Sequence, residues 1–231
     1  MNMEFIIISI ILIITYIFLI KVFKISVKEI KKFTINDELD EITKKYPKDE
    51  EICRKILDKI GNKNVNIQKD KESNSTMYFV AGNKIFIGET KNSYARIQTI
   101  AHECLHSIQD KTLLWTNFIY SNIYNLFFVI VSIFAITKVL KYRMMFLVIL
   151  LIMGLIYYVI RSYLENDAMI KARFLAKDYM IEENISSKEE IDKIVRQYDK
   201  LNSEGIKFTN VKLALSVCIK CLIFAVICYI N

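Results

Sequence analysis

Long apolar runs alternate along this chain with densely charged blocks. Residues 5–20 are almost wholly apolar and extend through Val22 and Phe23 to about the length of a membrane span. Two further apolar stretches cover 114–137 and 144–160, joined by a short segment carrying Lys138, Lys141 and Arg143. Asn117, Asn122 and Asn125 interrupt the first of these, which leaves open whether it crosses a bilayer or re-enters it. A last run covers 211–230 and is apolar except for Lys220. The charged blocks between the runs have helical spacing. Ile52, Ile56, Leu57 and Ile60 fall on one face after Pro47, and Gly61 closes that helix. Charged helical blocks are predicted at 161–182 and 187–201, the second opened by Ser187 and Glu190 at capping-box spacing. A strand pattern appears at Met77–Val80 and again at Lys84–Ile87, with turn residues at 81–83, and predicts a hairpin. A helix is expected to begin near Asn92 or Ser93, either of which can cap it.

Composition agrees with a mainly helical chain. One Pro and five Gly leave little scope for a turn-rich β architecture. At 53% apolar and 25% charged, the sequence divides between membrane-like and water-facing segments. A net charge of +7 suits nucleic acid or an anionic bilayer. No nucleic-acid motif or aromatic-interleaved basic stripe is present, so the bilayer is the expected partner and nucleic acid is not. The first apolar run lacks a basic leader and a small-residue cleavage site, and reads as a retained anchor. Lys21, Lys24, Lys28, Lys31 and Lys32 follow it, which puts residue 24 onward on the cytoplasmic side by the positive-inside rule. Five Cys without a framework spacing suit a reducing compartment or burial in lipid. Cys218 and Cys221 form a C-x-x-C with no second pair, and read as apolar positions. Lys220 is a functional candidate by its depth, or a snorkelling or groove-facing side chain.

The chain has two His residues, and they are four apart. Each helical residue advances about 100°, so His102 and His106 point almost the same way and can share one metal ion. Glu103, between them in sequence, can take a proton from a water on that metal. On a helical wheel Ile97, Ile100, Ala101, Cys104, Leu105 and Ile108 form a packing face. Thr99, His102, Glu103, His106 and Gln109 form an opposite, chemical face. The bland alternative is two surface His on an amphipathic helix.

A zinc hydrolase site needs a third protein ligand and one open position. With no His left, that ligand must be Asp, Glu or Cys. Glu165 is the best placed, because Ala168 and Ala172 share its helix face and would let the helix come close. Asp167 is either a partner that orients a His or the alternative ligand. Bringing Glu165 to His106 needs an even number of membrane crossings between them. That places Lys138, Lys141 and Arg143 outside, against the charge rule, unless the 114–137 stretch is re-entrant.

At these residues the chain resembles a bacterial family of membrane-bound neutral zinc metallopeptidases. The family's H-E-x-G-H-x-x-Q helix is met by the run from His102 to Gln109. Its E-F-D-A-S-x-R-A-L element is met by the run from Glu165 to Arg173, which keeps Asp167 and Ala168. Upstream, Ile52–Gly61 resembles the family's A-x-K-I-L-x-x-x-G helix. Asn64–Ile67 and Lys84–Ile87 resemble two of its strands. The likeness runs from about 50 to 205 in order. Leu105 replaces a Gly, which narrows the space beside the metal, and Met169 replaces a Ser. The family's D-x-Y-D-P stretch survives only as Ser75–Phe79. The resemblance implies a zincin-like helical core, a Zn²⁺ cofactor, peptide or protein substrates and a membrane location.

The expected organisation is a multi-span membrane protein. It has an anchor at 1–23 and a cytoplasmic-facing segment at 24–113 with the hairpin and the H-E-x-x-H helix. Two membrane segments lie at 114–160, a helical segment with the third ligand at 161–210, and a C-terminal membrane helix at 211–231. The expected activity is peptide hydrolysis, with His102, His106 and Glu165 on zinc, Glu103 activating the water, and the strand at 84–88 as an edge for an extended substrate. The rival readings are a non-catalytic metal-binding or sensor protein, and a membrane zinc protease of the prenyl-protein or heat-shock type.

Overall fold

A computed structural model describes residues 3–24, 26–70, 72–73, 75–89 and 93–230. The chain is mainly α-helical with one small sheet. Its elements in order are α1 (Met3–Val22), α2 (Val27–Thr34), α3 (Asp37–Thr43), α4 (Asp49–Lys59), β1 (Asn66–Asp70), β2 (Met77–Phe79), β3 (Lys84–Gly88), α5 (Arg96–His106), α6 (Lys111–Ile136), α7 (Arg143–Glu183) and α8 (Lys188–Ile230). They divide into two units. One comprises Met1–Ile25, Thr116–Tyr163 and Lys207–Asn231; the other comprises Ser26–Trp115 and Leu164–Ile206.

The first unit holds the apolar helices. α1, α6 and the apolar parts of α7 and α8 are each long and apolar enough to cross a membrane. α6 is one unbroken helix of 26 residues, about 39 Å at 1.5 Å per residue, so its three Asn residues do not break it into a re-entrant hairpin. Tyr124, Leu150 and Phe224 are fully buried where these helices meet. Outward positions such as Ile14, Leu126 and Val159 are exposed apolar surface, as lipid-facing positions must be. The loop after α6 turns through Lys138 at φ 60°, with Val139 and Leu140 donating back to the Phe134 carbonyl.

α7 and α8 are longer than the hydropathy pattern suggests. The apolar stretch at 144–160 and the charged block after it are one helix, as are 187–201 and 211–230. The reason is local: past Pro47 the chain has no proline, and the change from apolar to charged residues alters what a helix faces without breaking its hydrogen bonds. The start of α8 carries the expected capping box, with Ser187 N–H donating to Glu190 and Glu190 N–H donating to Ser187 Oγ.

The second unit packs a sheet against α4 and α5. The hairpin forms as expected: β2 runs antiparallel to β3, with Tyr78 opposite Ile85, through a turn in which Asn83 takes the left-handed conformation. β1 joins on the other side of β3, parallel to it, so the order is β1-β3-β2. This corrects the expected substrate edge. β3 (84–88) is the central strand, with both edges paired, and β2 and β1 are the edges. Ile85 and Ile87 of β3 point into a core with Ile52, Ile56 and Leu57 of α4, Ile97, Ile100, Ala101 and Cys104 of α5, and Ala168, Ala172 and Ala176 of α7. Alanines at i, i+4 and i+8 lie on one helical face, and all three are fully buried.

Two local expectations on α5 fail. The helix starts at Arg96, with no side-chain cap; Ser93 bonds to the turn before it, and Asn92 lies outside the described residues. Arg96 is buried there. It pairs with Asp49 and donates to the carbonyls of Thr43, Tyr46 and Pro47. Partners for a buried guanidinium come from a distant turn, and a local pattern does not contain them. At the other end the helix stops at His106, so Ile108 leaves the packing face and is exposed.

Candidate metal centre

α5 and α7 supply the site. One turn of α5 places His102 and His106 with their rings edge to face, 4.6 Å between centroids, and their Nε2 atoms 3.0 Å apart. Glu165 of α7 comes to the same point, with one oxygen 3.4 Å from His102 Nε2 and the other 3.8 Å from His106 Nε2. Three donor atoms of this group lie within 4.8 Å of one another, and the group could hold a metal ion. Among the described residues it is the one such group, and neither Asp167 nor the Cys218–Cys221 pair belongs to it.

The spacing suits a small tetrahedral cation. A metal with arms of about 2.1 Å puts neighbouring donors about 3.4 Å apart, close to the 3.0 Å between the imidazole nitrogens and the 3.4 Å from His102 Nε2 to the nearer Glu165 oxygen. The donor chemistry agrees. Two imidazole nitrogens 3.0 Å apart cannot both be bare without repulsion, and a cation between them and a carboxylate removes it. The side chains of His102, His106 and Glu165 are 15%, 9% and 13% exposed, so the site is shielded yet still open to solvent.

A hydrogen-bonded chain sets the tautomer of His106. The Gln109 amide donates from Nε2 to the Leu164 carbonyl (2.9 Å) and to Asp167 Oδ2 (3.0 Å), so its Oε1 faces His106 Nδ1 at 2.8 Å. That oxygen only accepts, so Nδ1 carries the hydrogen and Nε2 of the neutral ring presents its lone pair to the metal position. Asp167 meets His106 only through Gln109, which bonds to both side chains. Burial acts to raise the Asp167 carboxyl, and hydrogen bonds from Lys171 and Gln109 bring it below its ordinary value. The residue pattern puts Gln109 on the chemical face without giving it a role; its spacing of three residues from His106 is the available signal. Replacing Gln109 by Leu is expected to weaken metal binding by about 10–100-fold, read by competition with a chromophoric chelator. The ¹⁵N shifts of metal-free His106 should then lose the Nδ1–H signature; unchanged affinity and an unchanged tautomer would refute the role.

Glu103 is held beside the donors. One carboxylate oxygen accepts the backbone N–H of Tyr78 on β2 at 2.7 Å, and the other lies 3.9 Å from His102 Nε2. Burial raises its carboxyl above the ordinary value, against the opposing pull of His102, His106 and the Tyr78 N–H. His106 is also raised. Burial acts to lower it but is outweighed by the Glu165 carboxylate nearby and the charge of Glu103. The anchor at Tyr78 has no sequence signature, because a backbone amide has no residue identity. It also shows what Ser75–Phe79 does here: the backbone at Tyr78 positions Glu103 whatever its side chain. Leu105 lies in the buried core, so its bulk is taken up by packing.

Comparison with protein-family profiles, with curated proteins and with solved structures finds no match for this chain. The site therefore stands on its geometry and on the residues themselves.

Proposed function

We propose that the protein is a membrane-anchored, zinc-dependent peptidase of the kind its motifs resemble, with a zincin-like core around α5. The observation that carries this is the convergence of His102, His106 and Glu165 on one point, with Glu103 held beside it. Two imidazoles and a carboxylate are a donor set used by zinc hydrolases, and borderline nitrogen donors favour zinc over magnesium or calcium. Zinc bound there supplies a Lewis acid and lowers the pKa of a water towards about 7. Glu103 stands where it would take up a proton beside that metal and hand it to the leaving amine, and its raised basicity suits both transfers. The sheet edge on the Glu103 side is β2, so an extended peptide would meet β2 and not β3. A protein that only stores or senses metal has no use for a carboxylate anchored beside the donors and outside the ligand set, which favours the catalytic reading.

The reading puts the site on the cytoplasmic side, and chain order and charge support it. Two apolar helices, α6 and α7, lie between His106 and Glu165, an even number of potential crossings. The larger basic cluster, Lys21, Lys24, Lys28, Lys31 and Lys32, follows the first apolar run, which by the positive-inside tendency favours the cytoplasm for the residues after it.

The test is metal removal. The full chain in detergent should cleave peptides from a mixed library, lose that activity to 1,10-phenanthroline and regain it with Zn²⁺. Cleavage that continues at full rate in metal-free protein would overturn the proposal.

A further inference from the structure

Lys220 lies in the apolar part of α8, ten residues from the helix end at Ile230 and therefore about 15 Å along the axis from it. An ammonium at such depth is costly and is retained where it has a use. Its direction excludes snorkelling. Lys220 Nζ donates to Asn125 Oδ1 of α6 at 2.7 Å and lies over the Tyr124 ring, 4.3 Å from the centroid, with the Tyr157 ring of α7 at 5.9 Å. The charge is thus turned sideways to neighbouring helices at its own level. One amide oxygen and two ring faces ease it without neutralising it, and among the described residues no carboxylate forms an ion pair with Lys220.

The pair is reached from outside the helices. Asn125 is exposed and Lys220 is half-buried, and one helical turn from them Val129 of α6 and Ile223 of α8 present exposed apolar surface. A mid-depth cation in a lipid-facing apolar surface is complementary to a carboxylate at the same depth. Lipid headgroups lie about 15 Å from the bilayer centre and do not supply one there. A second copy of this chain does not either: the apolar segments contain a single acidic residue, Glu4, in the first turn of α1.

We propose that Lys220 and Asn125 form an intramembrane docking point for a different protein's transmembrane helix, one carrying an Asp or Glu near its middle. Val129 and Ile223 pack against that helix, and the ammonium and the Asn125 amide bind its carboxylate.

The experiment uses the full chain, donor-labelled, in phosphatidylcholine vesicles with acceptor-labelled poly-leucine transmembrane peptides bearing Asp, Asn or Leu at the central position. Energy transfer should report binding of the Asp peptide about ten-fold tighter than the Leu peptide, the size of a good interhelical polar contact. That preference should vanish in Lys220→Leu, a change that relieves a buried charge and does not threaten folding, and should survive in Lys220→Arg. Equal binding of all three peptides, equal binding of Asp and Asn, or a preference that persists in Lys220→Leu would each overturn the proposal.

Discussion

Glu103→Gln is expected to abolish peptide hydrolysis, by about a thousandfold or more, while zinc stays bound. The amide is the same shape and can still meet the Tyr78 N–H through its oxygen, so the position of the side chain survives. What disappears is the ability to accept a proton, and general-base catalysis contributes about 10²–10⁴-fold. Glu103 is outside the donor group, so metal content measured on the purified variant should equal wild type. The pairing of the two readouts gives the test its strength. A misfolded variant would lose both metal and activity, and a metal-storage protein would show no activity to lose. Turnover by the variant equal to wild type would remove Glu103 from the mechanism.

The second large effect is expected from Glu165→Ala. Glu165 is the carboxylate of the donor group, and it comes from a helix some sixty residues away, so its removal leaves two donors on a single turn of α5. Zinc affinity should fall by well over the 10–100-fold typical of residues that only orient a ligand, leaving the purified protein essentially metal-free. The fold should persist, because the neighbouring Ala168 and Ala172, not Glu165, carry the packing of that face. Circular dichroism checks the second point and elemental analysis the first. Full zinc occupancy in the Glu165 variant would point to a different third ligand, and Asp167→Ala would then be the informative companion.

Some of this can be read from residues alone. The apolar runs are legible because a helix facing lipid must be apolar over its whole exposed length, which leaves a continuous signature. His102, Glu103 and His106 are legible because i and i+4 on one helix share a direction whatever the rest of the chain does. The Ser187–Glu190 box and the 77–87 hairpin are legible for the same reason: each is closed by neighbours in sequence. Where residue pattern and structure part, a distant or terminating contact decides the outcome. Ile108 fits the packing face of a longer helix, and the helix stops two residues before it.

Length, spacing and hydrophobic period are thus enough to mark the apolar helices, the two imidazoles on one turn and Glu165 as the carboxylate to look for. Tertiary structure alone decides that β3 lies inside the sheet, that Arg96 is buried on Asp49, that Gln109 joins Asp167 to His106, and that Tyr78 holds Glu103. The division has one physical cause. Helical periodicity and burial in lipid act between near neighbours and are written into residue order. A sheet partner, a backbone amide turned towards a carboxylate, or an acceptor for a buried guanidinium is chosen only when remote segments meet.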